Sequence, residues 1–204
     1  MSQNPITATT AAEAEQLLRD AGALLEGHFK LASGKHSPLY VEKFRLLERP
    51  VQTEALCRMI AEWARGLSPG VVAGPTTGGV IISYEVARIL GTRGIFAEKN
   101  EDGSPGRGFQ RGFEISPGER VLVVDDVLTT GGSIRDVLDA VRKLGGEVAG
   151  VAVLVDRAGG SVDFAQTGGR MPGVPFFACL ALDLPVYMPG DCPLCGDGIP
   201  LKVT

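Results

Sequence analysis

The sequence lacks the features that would announce several common classes of protein. Lysine and arginine do not outnumber the acids: 20 against 24 leave a formal net charge of −4, so the basic surface that phosphodiesters require is missing and nucleic acid is not an expected partner. Nowhere do roughly 18 uncharged apolar residues run together, as a membrane span would need. The opening stretch MSQNPITATTAAEAEQLLRD holds no basic segment followed by an apolar one, so no secretory leader is expected and the cytoplasm is the expected compartment. Cysteine is scarce. Four thiols in 204 residues are too few for a disulfide framework, and reduced cysteines are the expectation. Internal repeats, heptads and low-complexity segments are absent as well.

What is present is a chain with 44% hydrophobic residues, long enough to bury one sizeable core. We expect a single domain over residues 1–204, organised as an N-terminal hood (1–48), an α/β core (49–182) and a C-terminal tail (183–204). Residues 10–21 read as a helix capped by Thr9 or Thr10, and HFKLAS and PLYVEKF as two strands around SGKHS. From Val51 the positions Leu56, Met59, Ile60 and Trp63 follow helical spacing behind Pro50. Short apolar runs then alternate with helices. Strands are expected at 71–74, 94–99, 120–126, 147–156 and 175–182, with a further one over FQRGFEI, and helices at 78–91 and 131–144. Strands without polar alternation, separated by helices, predict a mostly parallel sheet flanked by helices on both faces. Ligands of such sheets bind outside the carboxyl ends of the strands. The stretch 100–108, rich in glycine and charge, is expected to be a mobile loop.

One of those strand ends carries the strongest signal. In VLVVDDVLTTGGS (121–133) an apolar strand delivers Asp125 and Asp126 into a loop of threonines and glycines that opens a helix. The first amides of a helix have no intrahelical partner. Glycines at 131 and 132 allow the backbone to approach an anion, while Thr129, Thr130 and Ser133 add hydroxyl donors, so the loop suits a monophosphate. No lysine follows the glycines as in a Walker loop. Two acids beside a phosphate would repel it and need partners of their own, either sugar hydroxyls or magnesium. A sugar phosphate meets both demands.

These residues closely resemble the phosphoribosyl diphosphate (PRPP) signature of the type I phosphoribosyltransferases. Within that superfamily, EGHFKLASGKHSPLYVEK (26–43), GPTTGGVIISYEVARILG (74–91) and VLVDRAGG (153–160) resemble segments of the orotate phosphoribosyltransferases. The resemblance implies a helix-flanked sheet with a small hood. It further implies transfer of ribose 5-phosphate from PRPP to N1 of orotate with release of pyrophosphate, Mg2+ as cofactor, and a homodimer with a shared active site. Carried onto this sequence, PRPP would be held by Asp125, Asp126, Val127, Leu128, Thr129, Thr130, Gly131, Gly132 and Ser133. Thr76, Thr77, Gly78 and Gly79 would offer backbone amides to the leaving pyrophosphate, and Lys99 would join them. Orotate would meet Tyr40, Thr129 and Arg157, the last as a bidentate partner for its carboxylate. Asp125 and Asp126 would reach the metal through water and the ribose hydroxyls.

The sequence departs from the family pattern in the loop FAEKNEDGSPGRGFQRGF. Glu98 stands where an arginine is common, and the later lysine and histidine are replaced by EDGSPG, which leaves Lys99, Arg107 and Arg111, together with Asp125 and Asp126, as the catalytic candidates. Ala32 occupies the place of a base-contacting lysine in some members, with Lys35 or Lys43 as substitutes. A purine phosphoribosyltransferase and a PRPP-sensing regulator without catalysis are the alternatives. His28 and His36 receive no role. CPLC (192–195) has the spacing of half a zinc knuckle, but zinc takes four ligands and no second such pair exists. Two reduced thiols in a C-terminal turn are expected, with a four-thiolate site across two subunits as the alternative.

Overall fold

The computed structural model describes residues 8–31, 33–158 and 173–203. Ala32, and Gly159 and Gly160 of the VLVDRAGG match, lie outside the described residues. Helix α1 (Ala11–Asp20) starts at a capping box, in which the Thr10 hydroxyl accepts the Glu13 amide while the Glu13 carboxylate accepts from Thr10. It packs Ala14, Leu17 and Leu18 inward. The hairpin of β1 (Leu24–Lys30) and β2 (His36–Val41) follows, then the short α2 (Lys43–Leu47) and α3 (Pro50–Ala64), whose proline stands in the first turn where no intrahelical donor is lost.

The core then alternates strand and helix: β3 (Val71–Pro75), α4 (Gly78–Leu90), β4 (Arg93–Lys99), β5 (Arg107–Phe109), β6 (Arg120–Leu128), α5 (Gly132–Lys143), β7 (Glu147–Asp156) and β8 (Phe176–Ala181). The six strands form one sheet in the order β5-β4-β3-β6-β7-β8, parallel throughout except for the antiparallel edge strand β5. Both faces are buried. Along β6, Leu122 and Val124 join the core shared with α3 and α4, while Val121 and Val123 join the one shared with α5. That two-sided burial is why the strand reads as an unbroken apolar run.

The expected strand over FQRGFEI is not there. Only Phe109 of it lies in β5, which begins at Arg107, and the chain turns at Arg111 and Gly112, both with positive φ. The 100–108 loop is tied by its own hydrogen bonds: Asn100 Nδ2 donates to Ser104 Oγ and to the Pro105 carbonyl, both at 3.0 Å.

A short α6 (Pro193–Gly196) and β9 (Lys202–Val203) close the chain. β9 pairs in parallel with β1, so the C-terminal tail becomes the third strand of the hood sheet, β2-β1-β9. Among the described residues no helix is long and apolar enough to cross a membrane.

Candidate active site

Strand order decides where a ligand can enter. From β3 the chain crosses through α4 to β4 on one side, and from β6 it crosses through α5 to β7 on the other. The carboxyl ends of β3 and β6 therefore diverge into two loops with a crevice between them, the switch point of an open parallel sheet. The two glycine-rich loops of the sequence, 74–79 and 129–133, are those loops. A cavity of about 910 Å3 opens there, lined by Thr76, Thr77, Gly78, Asp125, Asp126 and Thr129 among others. Its size suits a sugar phosphate together with a planar base.

The first loop is compact because its glycines are in contact. A Cβ on Gly74 would lie 2.3 Å from the Gly79 carbonyl oxygen, and one on Gly79 would lie 2.5 Å from the Pro75 ring. At Gly78 a Cβ would meet Asp126 Oδ2 at 1.6 Å. Asp126 thus rests on the start of α4, where backbone amides lack intrahelical acceptors. The Thr76 amide donates to the Ala97 carbonyl at 3.0 Å, so it is not free for a leaving group as expected; the amide donors left are those of Thr77, Gly78 and Gly79. Gly79 does not line the cavity, since it is packed against Gly74.

On the second loop, Gly131 takes the left-handed conformation at φ 75° and starts α5. Thr129, Thr130 and Ser133 line the cavity and Val127 borders it. Leu128 departs from expectation. Its side chain is buried in the core beneath α5 and its carbonyl accepts the Arg157 amide at 2.9 Å, so it serves the scaffold.

Asp125 and Asp126 are both buried. The Asp126 amide donates to Asp125 Oδ1 at 2.8 Å, and the Val127 amide to Asp126 Oδ1 at 2.6 Å. Lys43 Nζ lies 2.9 Å from Asp126 Oδ2 and 3.1 Å from Oδ1. Lys43, weighed from sequence only as a substitute for a base-contacting lysine, is instead the counter-ion of this acid. One lysine against two carboxylates leaves an excess negative charge. Burial, reinforced by the neighbouring Asp126, pushes Asp125 up to about 7.

Arg157 follows β7 and lines the cavity. Its buried Nε has no hydrogen-bond partner among the described residues, and burial holds the guanidinium below its usual range. Tyr40 lines the same cavity while its ring lies 5.6 Å from that of Phe29. Arg107 is drawn to the first loop: its Nη1 donates to Thr76 Oγ1 at 2.8 Å and to the Ala97 carbonyl at 3.3 Å, with Asp136 Oδ2 3.9 Å from Nε. Arg111 goes elsewhere, paired with Glu98 at 2.8 and 3.0 Å. Lys99, at the end of β4, does not line the cavity of its own chain.

The fold and the two loops at its switch point are those of a type I phosphoribosyltransferase. The family model of the phosphoribosyl transferase domain matches residues 47–164, more than half of the chain. An orotate phosphoribosyltransferase of Pelotomaculum thermopropionicum is 50% identical over 191 residues, covering 94% of this chain and 95% of the relative. One of Caldanaerobacter subterraneus subsp. tengcongensis is 48% identical over 176 residues, covering 86% and 87%. Among solved structures, orotate phosphoribosyltransferase of Mycobacterium tuberculosis H37Rv superposes with a TM-score of 0.68 at 29% identity, over 84% of this chain and 96% of that one. The chain belongs to the phosphoribosyltransferases and, within them, to the orotate phosphoribosyltransferase family.

Proposed function

We propose that this protein transfers ribose 5-phosphate from PRPP to N1 of orotate, giving orotidine 5'-phosphate and pyrophosphate for pyrimidine nucleotide synthesis. The observation that carries the reading is the pairing of two phosphate-suited loops across one crevice with the half-buried Arg157 at its rim, whose Nε has no hydrogen-bond partner among the described residues. The 129–133 loop cradles the 5-phosphate through the first amides of α5 and the hydroxyls of Thr129, Thr130 and Ser133. Asp125 and Asp126 face the ribose. Thr77 and Gly78 present amides to the pyrophosphate, and Arg107, seated on Thr76, adds positive charge there.

Breaking the bond at C1 builds positive charge on the ribose and negative charge on the leaving group. The carboxylates stabilise the former, and amides and guanidinium stabilise the latter. The donor set fits Mg2+, since two buried carboxylates share one lysine and would stand beside phosphate oxygens. Asp125 and Asp126 would hold the ion through water and the ribose hydroxyls. When bound, magnesium supplies charge neutralisation to the pyrophosphate. Arg157 orients the orotate carboxylate, with Tyr40 against the base.

Lys99 and Arg111 stand outside the cavity of their own chain, which fits a homodimer whose loops are shared between subunits. Exposed Ile81 and Tyr84 on α4 offer an apolar face for it. The free cysteines suit the reducing cytoplasm. The test is Arg157→Ala: the KM for orotate is expected to rise at least tenfold, with PRPP affinity unchanged. An unchanged KM for orotate would contradict the assignment.

A further inference from the structure

The transfer reaction leaves the hood histidines and the C-terminal CPLC unused, yet the fold brings them together. His28 lies on β1 and His36 opens β2, and their rings meet edge-on with centroids 4.8 Å apart. The tail reaches them because the His36 and Tyr187 backbones exchange two hydrogen bonds of 2.9 Å, which delivers Cys192 and Cys195 at the start of α6. One ligand atom from each of the four residues lies within 4.8 Å of all the others. His28 is 1% and His36 4% exposed, and no carboxylate belongs to the cluster.

We propose that His28, His36, Cys192 and Cys195 form a structural zinc site within one chain. Zn–N bonds of about 2.0–2.1 Å and Zn–S bonds of about 2.3 Å at tetrahedral angles put N and S about 3.6 Å apart. The structure has Cys192 Sγ at 3.5 Å and Cys195 Sγ at 3.7 Å from His28 Nε2, and Cys195 Sγ at 3.4 Å from His36 Nδ1. The two ring nitrogens are 2.9 Å apart, closer than the roughly 3.4 Å tetrahedral edge, so a metal spreads this one contact.

The groups around the four ligands agree with a metal. His28 Nδ1 lies 2.7 Å from the Ile199 carbonyl, a contact that only a protonated Nδ1 satisfies, which fixes the tautomer and leaves the Nε2 lone pair toward the cluster. Two thiolates and two imidazoles select zinc over magnesium or calcium. Four protein ligands leave no open position, so the metal is a staple without a catalytic role. The four-thiolate site across two subunits is thereby replaced, since the missing ligands are the two histidines. The staple joins both walls of the base pocket: the hairpin supplies Lys35 and Tyr40, and the tail supplies Leu184 and Val186.

Full-length protein purified without chelator should carry one zinc per chain by elemental analysis. Cobalt exchanged for it should give the intense visible bands of tetrahedral thiolate coordination. Cys195→Ser, at the most exposed ligand, and His36→Ala should each lose the metal and melt several degrees lower, while Cys179→Ala, outside the cluster, should keep it. Bound metal should also shield Cys192 and Cys195 from alkylation until chelator is added. Folded protein that neither retains zinc nor gives the cobalt bands overturns the proposal, as does an intact mass lower by two hydrogens that marks a Cys192–Cys195 disulfide. None of these readouts depends on which base the enzyme accepts.

Discussion

At the scale of single residues, the site is a set of charges placed where burial makes them count. Arg107 and Arg111 look equivalent in sequence, but one reaches Thr76 and the other is spent on Glu98. Arg107→Ala is therefore expected to lower kcat/KM at least tenfold, about 1.4 kcal/mol of transition-state stabilisation, and Arg111→Ala to lower it less; the reverse order in steady-state kinetics would refute this ranking. Asp125 carries a pH signature. Its carboxyl titrates near 3.8 when solvated and is pushed up to about 7 in the fold, so the folded state keeps a proton that the unfolded chain releases. That contribution to stability is complete below the lower value and is lost as pH rises through the upper one. Without magnesium and PRPP, Asp125→Asn should melt above the parent at about pH 8, with the gap closing toward about pH 4, while transfer activity falls. A gap independent of pH would contradict the raised carboxyl. The acids and the TTGG run were legible in the sequence because they are adjacent in it. Lys43 was not legible as their counter-ion, being 83 residues from Asp126.

At the scale of elements, the loops work because glycines permit backbone contacts that any side chain would block. Gly78→Ala places a methyl on the Asp126 carboxylate. We expect a folded protein by circular dichroism with at least a tenfold loss of kcat/KM, because Asp126 must move off its position between Gly78 and Lys43. Unchanged kinetics would show that the contact is dispensable. The strands and helices of the core were readable from apolar runs and helical spacing, and β7 spans residues 147–156 as expected. FQRGFEI failed because Phe109, Phe113 and Ile115 fall at even spacing and read as one face of a strand, whereas Phe113 turns inward from a loop to meet Phe96 edge-on at 5.0 Å. Leu128 shows the same gap between local pattern and side-chain direction. Proximity in sequence to a phosphate loop does not say which way a side chain points, and here it points into the core.

At the scale of the whole molecule, the order of strands creates the site. Parallel strands and their carboxyl ends followed from the sequence, but the adjacency of β3 and β6, which makes them flank one crevice, is a long-range property that local pattern does not encode. The same holds for the tail. Its return to β1 sets Cys192 and Cys195 beside histidines more than 150 residues away, a cluster that spacing rules could not assemble. The central claim is that this crevice joins the ribose 5-phosphate of PRPP to orotate. The most direct measurement is pyrophosphate release from PRPP and magnesium with orotate, uracil, hypoxanthine, guanine and adenine supplied separately. Release with orotate alone, matched by orotidine 5'-phosphate, is the predicted result; release with a purine instead, or PRPP binding without turnover on any of the five, would contradict it.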